Sequence, residues 1–486
     1  MTAFLISLAV LLGGYFIYGA IVEKAFGTDA GRPTPAYTRR DGVDYLPMPT
    51  WKVFLIQFLN IAGIGPIFGA IMGVMFGPAA FLWIVLGTIF AGAVHDFLSG
   101  MISVRMGGLS LPEIVGSQLG RAVKNVMGIF SIVLLLMVGA VFVTSPAGIL
   151  AGMTPAWLSG EVWVLIIFAY YVCATVLPVD KLIGSLYPVF GFALLFMAGG
   201  LLVYLLFGGV SIPDGIADGL QSRRADGYPI FPMMFVSIAC GAISGFHATQ
   251  SPMMARCIKS EKLGRPVFYG AMVAEGIVAL IWAAAAISFT GSYDSLGAYM
   301  AGEGHSAATL VNDISVGWLG TFGGILALLG VVAAPITTGD TALRSARLIV
   351  ADFLKIDQKK TMRRIFVSLP LFAVTFLLVQ IDFQVLWRYF AWCNQTLAVF
   401  TLWAVSVWML RHGKNYYIAM VPALYMTVVS ISYLLFAPSP EGFGLARGVA
   451  VGAGMAVAAL FAALFYSYRR ALAKNGTIIA EENIID

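Results

Sequence analysis

Long apolar runs alternate with short polar stretches along most of this 486-residue chain. The hydrocarbon core of a bilayer is about 30 Å thick, and a helix needs roughly 20 apolar residues to cross it. A window of that length predicts about thirteen membrane-spanning helices. The predicted segments are 2–22, 52–76, 79–105, 125–147, 162–177, 182–207, 231–255, 267–290, 317–343, 365–381, 384–410, 416–436 and 446–468. The pattern therefore predicts an all-α polytopic membrane protein.

The positive charges fall in alternate loops of this map. Cytoplasmic loops of membrane proteins collect Lys and Arg, and one set of loops here holds nearly all of them, whereas the opposite loops hold only Arg223, Arg224 and Arg447, with Arg388 near a helix start. An odd number of helices, with the N-terminus outside and the C-terminus in the cytoplasm, satisfies this distribution. We expect the first apolar run to be a retained helix rather than a signal peptide, because no basic residues precede it and no A-x-A-like cleavage site follows it.

Composition agrees with a membrane protein, since 60% of the residues are hydrophobic and 11% are charged. The net charge of +5 is explained by the loop distribution, so no nucleic-acid partner is expected. The four cysteines form neither a C-x-x-C pair nor a His/Cys cluster with the spacing of metal ligands, which argues against a disulfide framework.

The second predicted helix is interrupted. Asn60, Gly63, Gly65 and Pro66 fall within the stretch NIAGIGPIFGAIMG, and Gly and Pro are the residues that weaken helices most. Two interpretations are open. The segment is either a discontinuous helix or a Pro-kinked helix, whose glycines at every fourth position from Gly65 to Gly77 form a smooth stripe for close packing.

A second interruption lies in the seventh predicted helix, where residues 240–257 read CGAISGFHATQSPMMARC. Its ends are apolar, but its centre has a density of polar and helix-weakening residues that hydrocarbon does not tolerate without reason. If the first helix is set aside, the two interruptions fall in the first helices of two five-helix units that face opposite ways across the membrane. Interrupted segments at matching places in inverted halves point to a transporter binding site near the bilayer midplane.

This reasoning predicts five regions. They are an extra N-terminal helix with a cytoplasmic loop (1–50), a first five-helix repeat (51–207), an extracytoplasmic loop (208–230), a second five-helix repeat (231–410), and two additional helices with a cytoplasmic tail (411–486).

Several stretches also resemble a known family. They are DGVDYLP at 41–47, AGIGPIFG at 62–69, AGAVHDF at 91–97, LPVDKLIGSLYPVFG at 177–191, CGAISGFHATQSPMMARC at 240–257, PITTGDTALRSARL at 335–348 and WRYFAWCNQTLA at 387–398. In them the chain resembles the carbon starvation protein A family of bacterial membrane transporters. The resemblance implies ion-driven uptake of small carbon sources, with peptides and pyruvate as associated substrates. It also implies kinship with the five-plus-five (APC/LeuT-like) transporters. This chain is shorter than the longer relatives and ends soon after its thirteenth predicted helix, so their extra C-terminal spans are not expected here, and their full substrate range is not assumed.

His247 is the leading candidate for substrate or proton binding. A protonated imidazole at the midplane binds a carboxylate, and a neutral one passes a proton, while the alternative role is a packing hydrogen bond to a neighbouring helix. Broken helices favour the functional role, because they expose backbone N–H groups and helix dipoles to anionic substrates. The residues predicted to bind substrate are Asn60, Gly63, Gly65, Pro66, Ser244, Gly245, Phe246, His247, Thr249, Gln250, Asn394 and Gln395.

Intramembrane carboxylates and hydroxyls are the candidates for ion coupling. The residues predicted for this role are Asp96, Lys181, Glu275, Thr337, Thr338 and Asp340. Glu275 needs a partner, which is His247, Lys181 or a proton. For Lys181, anchoring at the membrane interface is an equal alternative.

The two threonines and Asp340 each have a second interpretation. Thr337 and Thr338, with backbone carbonyls freed near Ala62, predict a sodium site like that of related inverted-repeat transporters, or else their hydroxyls bond to carbonyls one turn back. Asp340 marks an ion path or forms an ion pair with Arg344 at the i+4 position.

We predict a secondary active transporter that takes up short peptides or pyruvate-like carboxylates across the bacterial cytoplasmic membrane, coupled to H⁺ or Na⁺ and needing no other cofactor. The alternatives are an ion or solute channel, since broken helices also build filters, and a nutrient-binding membrane sensor. An enzyme is not expected. Ser244 and His247 share a face only if the segment stays helical, and no third group is placed to orient the imidazole.

Overall fold

The computed structural model describes residues 1–41, 45–176, 180–213, 220–356 and 361–475, and it leaves the side chains at 175, 176, 180–188, 352, 361 and 475 outside the description. The α-helices in these ranges are α1 (Thr2–Phe16), α2 (Tyr18–Phe26), α3 (Pro35–Thr38), α4 (Thr50–Ile61), α5 (Gly65–Val74), α6 (Ala79–Gly87), α7 (Ala93–Arg105), α8 (Leu111–Leu119), α9 (Arg121–Met153), α10 (Gly160–Val176), α11 (Asp180–Phe207), α12 (Phe235–Ser237), α13 (Gly245–Ala255), α14 (Gly270–Thr290), α15 (Tyr293–Ala301), α16 (Ala307–Ala327), α17 (Ala334–Leu354), α18 (Thr361–Val379), α19 (Phe383–Arg411), α20 (Tyr417–Phe436) and α21 (Arg447–Asn475).

Short helical turns of other types join several of these helices. They are the π-helical turns Thr88–Gly92, Ile230–Met234, Arg265–Tyr269 and Leu328–Ala333 and the 3-10 turn Glu261–Leu263. The prediction of an all-helical membrane protein is confirmed.

Within the described residues, ten helical runs are long and apolar enough to cross a membrane, or eleven if the bent pair α4 and α5 forms one span. The prediction of about thirteen spans is therefore confirmed only in part. Each predicted segment coincides with helix, but two do not reach the length of a span. Segment 162–177 is the short helix α10, and segment 231–255 is divided between α12 and α13.

The first predicted interruption is a break between two half-helices. α4 ends at Ile61 and α5 begins at Gly65, and their axes differ by 48°. The Gly and Pro residues of this stretch thus mark a discontinuous helix.

The second interruption lies earlier than the sequence predicted. Helix stops after Ser237 and resumes at Gly245, so His247 belongs to the first turn of α13 and the polar residues after it are helical. Hydroxyls in a helix can bond to carbonyls one turn back, as Thr249 does to Phe246 O at 2.7 Å. The polar density therefore does not break the helix at His247.

Glycines let α5 pack directly on this second break. A Cβ on Gly65 would lie 2.6 Å from Cys240 Sγ, and a Cβ on Gly69 would lie 3.1 Å from the Ser237 carbonyl oxygen. The segment is therefore a discontinuous helix that also carries the smooth glycine face. The two breaks are in direct contact.

We expect Gly65→Ala to lower the thermal unfolding midpoint in detergent relative to the native protein. An added methyl at a filled contact costs typically 1–3 kcal/mol, about the effect of overpacking a core. Gly13→Ala in α1 is the matched control, because a Cβ there has no atom within 4 Å. Equal midpoints for the two variants, measured by intrinsic fluorescence, would contradict the packing of the two breaks.

Candidate functional site

Four titratable side chains meet next to the second break, and none of them reaches solvent. His95 and Asp96 lie in α7, His247 lies in the first turn of α13, and Glu275 lies in the second turn of α14. All four are 0% exposed. We call these four residues the buried cluster.

The π-helical turn Thr88–Gly92 presses the start of α7 against the second break. The Thr88 hydroxyl donates a hydrogen bond to the Gly241 carbonyl at 2.9 Å. A Cβ on Gly92 would run into the Ala242 carbonyl oxygen, so a glycine is needed at this close approach. The carboxylate on the next turn of α7 thereby reaches α13.

Asp96 lies between two imidazoles. His95 Nδ1 is 2.7 Å from Asp96 Oδ1, and His247 Nδ1 is 2.9 Å from Asp96 Oδ2. An ionised carboxylate only accepts hydrogen bonds, so each Nδ1 carries the hydrogen. For His247 this leaves Nε2 facing away from Asp96, at 3.4 Å from Glu275 Oε2.

On the side of His247 away from Asp96, a thiol, that of Cys240, lies near the imidazole and the Glu275 carboxylate. Cys240 Sγ, a ring nitrogen of His247 and a Glu275 carboxylate oxygen all lie within 4.8 Å of one another. His247 Nε2 makes no hydrogen bond with a described residue. The Glu275 oxygens also lack a well-aligned donor among these residues, although the Gly241 N–H lies near them. The cysteine spacing in the sequence gave no sign of this group, because Glu275 comes from a different helix.

Asn394 of α19 fastens the start of α13. Its Oδ1 accepts hydrogen bonds from Ser244 Oγ at 3.0 Å and from the Phe246 N–H at 2.9 Å, and its Nδ2 lies 3.6 Å from Cys240 Sγ. A Cβ on Gly245 would lie 2.5 Å from the Asn394 carbonyl oxygen, so α13 and α19 touch through their backbones. Asn394 therefore positions the break by hydrogen bonds within the protein.

The other predicted substrate-binding residues surround the two breaks. Gln395 is buried and donates to the Phe235 carbonyl, while its Oε1 has no partner among the described residues. The buried Asn60 likewise has an Nδ2 without a described partner. Gln250 donates to Thr249 Oγ1 at 3.0 Å inside α13.

The backbone residues of the first break face apolar groups and the second break. A Cβ on Gly63 would lie 3.1 Å from the ring of Phe142 in α9, and Pro66 Cα lies 3.4 Å from the Cβ position of Gly241. The ring of Phe142 packs edge-on to Phe390 of α19 at 6.3 Å between centroids. These aromatic neighbours were not singled out from the sequence, since their meeting depends on how α9 and α19 pack.

The predicted ion-coupling residues divide into two groups. Asp96 and Glu275 join His247 in the buried cluster. Thr337 and Thr338 both donate to the Ala334 carbonyl, at 2.7 and 3.1 Å, and Asp340 lies 3.5 Å from Arg344. The hydroxyl bonds within the helix and the ion pair are the second interpretations given above for these residues of α17.

Two further residues, Ala62 and Lys181, were predicted to take part in ion coupling. Ala62 is buried between α4 and α5. Lys181 belongs to the start of α11, and its side chain lies outside the described part of the structure.

The sequence of this chain is similar to a known protein family and to several bacterial membrane proteins. The model of the family described as carbon starvation protein CstA matches residues 1–158, 149–321 and 305–433. A Haemophilus influenzae protein described as an uncharacterized membrane protein is 46% identical over 338 residues, which is 60% of this chain and 91% of that protein.

Two more distant relatives have named activities. The pyruvate/proton symporter BtsT of Escherichia coli is 29% identical over 362 residues, covering 61% of this chain and 50% of that protein. The peptide transporter CstA of Campylobacter jejuni is 28% identical over 342 residues, covering 57% and 48%. The chain thus spans about half the length of each of these two relatives.

A solved structure shows a similar fold. The crystal structure of a manganese transporter variant from Eremococcus coleocola aligns with a TM-score of 0.52 at 14% sequence identity, covering 88% of this chain and 98% of that one. At this identity the likeness concerns the fold alone.

Proposed function

Because this chain belongs to the CstA family of membrane transport proteins, we propose that it is a proton-coupled secondary transporter for small carboxylate-bearing compounds. Family membership confirms the recognition made from the sequence motifs, and it confirms that the chain is not an enzyme. The substrate, the coupling ion and the transport cycle are proposed here, beyond what family membership shows.

The buried cluster carries the proposal. It combines two carboxylates with two imidazoles at 0% exposure, where an uncompensated charge is costly. With Asp96 and Glu275 ionised and one imidazole protonated, the cluster holds one net negative charge. One further proton on Glu275 makes it neutral. The buried arrangement therefore favours one bound proton.

The broken helices supply a way to release that proton. His247 belongs to α13, whereas Asp96 and Glu275 belong to α7 and α14. If the half-helix α13 moves during alternating access, the His247 contacts at 2.9 and 3.4 Å separate and the cluster is exposed to water. The cost of an exposed charge is small, so the proton leaves on the side that opens.

We further propose the five-plus-five inverted repeat, with 51–207 and 231–410 as the two repeats between an extra first helix and two extra last helices. The contact of Gly65 with Cys240 supports it, because the discontinuous first helices of the two repeats then meet. The fold likeness to a metal-ion transporter is a second support. The alternating positive loops support a cytoplasmic-membrane protein with its N-terminus outside.

The proposed substrate carries a carboxylate, which pyruvate and peptides share. Asn60 Nδ2 is a buried donor without a partner among the described residues and can donate to this carboxylate. Gln395 Oε1 is a buried acceptor without a described partner and can accept from an N–H of a peptide. The proposed contacts also include Gly63, Pro66 and the first turn of α13. We propose proton coupling rather than sodium coupling because the buried cluster brings together groups that exchange protons, whereas the Thr337 and Thr338 hydroxyls bond within α17, to the Ala334 carbonyl.

Counterflow in proteoliposomes tests the transporter proposal. We expect labelled pyruvate or a labelled dipeptide to exchange with the same unlabelled compound inside, with saturation. Flux that does not saturate would favour the channel, and saturable binding without flux would favour the sensor. Absence of exchange with both substrate types in folded protein would contradict the substrate class.

A further inference from the structure

The side of the buried cluster opposite Asp96 has the composition of a metal site. We propose that Cys240 Sγ, His247 Nε2 and the Glu275 carboxylate bind a divalent transition-metal ion of the Zn²⁺ or Co²⁺ type. One ligand atom from each of the three residues lies within 4.8 Å of the other two, and His247 Nε2 is 3.4 Å from Glu275 Oε2. Bond lengths of about 2.0–2.3 Å to zinc place two ligands of one ion roughly 3.3–3.8 Å apart, so side-chain shifts of about 1 Å complete the site.

The imidazole is already oriented for a metal. Asp96 accepts the hydrogen of His247 Nδ1 at 2.9 Å, which leaves the Nε2 lone pair directed at the other two ligands. Histidines that bind metals almost always donate their other ring N–H to a carboxylate or carbonyl in this way. His95 holds the second oxygen of Asp96 at 2.7 Å. His247 Nε2 is fully buried and has no hydrogen-bond partner among the described residues.

The charges and ligand types select the class of ion. A thiolate and a carboxylate neutralise a divalent cation, and the thiol proton of Cys240 passes to the solvent on binding. Asn394 Nδ2 at 3.6 Å and Ser244 Oγ at 3.7 Å are hydrogen-bonding groups beside the sulfur. Sulfur and imidazole ligands prefer zinc-like ions to Mg²⁺ or Ca²⁺.

A bound ion would tie together parts that the transport cycle must separate. Cys240 lies in the second break, His247 lies in α13 and Glu275 lies in α14, so one ion bridges all three. We expect it to inhibit transport by holding these three elements in their present arrangement. This consequence rests on the proposed function, whereas binding rests on the geometry alone.

Binding is tested with Co²⁺ added to the full-length protein purified in detergent. We expect a cobalt–thiolate charge-transfer absorption that Zn²⁺ abolishes. Cys240→Ser should lose this absorption, and Cys393→Ser should keep it, because Cys393 is equally buried but belongs to no such group among the described residues. Glu275→Gln should keep the thiolate absorption with Co²⁺ affinity at least about tenfold weaker. No absorption in the native protein, or its survival in Cys240→Ser, would overturn the site.

The effect on transport is measured separately, by Zn²⁺ inhibition of counterflow. We expect inhibition in the native protein and in Cys393→Ser, and none in Cys240→Ser. Co²⁺ binding in a protein that shows no counterflow would keep the metal site and reject the proposed function. Counterflow without any Co²⁺ binding would reject the metal site and keep the proposed function.

Discussion

Replacing His247 with alanine is expected to abolish substrate-driven proton movement and to reduce uptake by at least about a hundredfold. Among the ion pairs of the described residues, those of His247 reach both Asp96, at 2.9 Å, and Glu275, at 3.4 Å. Removing one member of a buried charged group costs about 3–5 kcal/mol, and it leaves Glu275 without its imidazole partner. Uptake in proteoliposomes under an imposed pH gradient measures the loss.

The matched control is His305→Ala, since His305 is exposed and stacks on Tyr299. Size exclusion and the thermal midpoint show whether the His247 variant is folded. If His247→Ala unfolds, His247→Gln keeps a polar side chain of similar length and tests the same point without a cavity. Normal uptake in a folded variant would return His247 to a packing role.

Glu275→Gln is expected to preserve the exchange of substrate across the membrane but to abolish its accumulation against a gradient. Glutamine keeps the shape of the side chain but cannot carry the proton that neutralises the buried cluster. Counterflow, which needs no net proton movement, should persist within about threefold of the native rate, since glutamine resembles the protonated Glu275 that makes the buried cluster neutral and leaves no unpaired charge. Accumulation driven by a pH gradient should disappear.

Glu303→Gln is the control for Glu275→Gln, because Glu303 is exposed in the loop after α15. Both variants are compared in the same vesicles, with counterflow and gradient-driven uptake measured in parallel. Accumulation that survives in Glu275→Gln would exclude Glu275 as the proton carrier. Loss of counterflow as well, in folded protein, would assign Glu275 to substrate binding instead.

Most of the spans and the first break could be predicted from the sequence, because both depend on signals that lie next to one another in the chain. Apolar runs fix where helices cross a membrane, and Gly63, Gly65 and Pro66 weaken a helix at their own positions. The sequence predicts the second break too far along the chain, because it treats polar residues in an apolar segment as a sign of broken helix. Thr249 and Ser251 look incompatible with hydrocarbon, yet both donate to carbonyls of their own helix, at Phe246 and His247.

The sequence could indicate candidate residues of the buried cluster but not that they meet in space. His247, Asp96 and Glu275 each stand out as titratable residues in apolar segments, but their meeting depends on how α7, α13 and α14 pack. Cys240 gave no signal, because spacing rules for metal ligands apply to neighbours in sequence. The role of each residue in transport is still a prediction.

Substrate-dependent proton movement tests the central claim most directly. Purified protein is reconstituted into vesicles that contain a pH-sensitive dye, and substrate is added with no imposed gradient and with choline in place of sodium. We predict that the vesicle interior acidifies when pyruvate or peptide is added, and that His247→Ala shows no change. Substrate uptake without acidification, or uptake that requires sodium, would contradict proton coupling through the buried cluster.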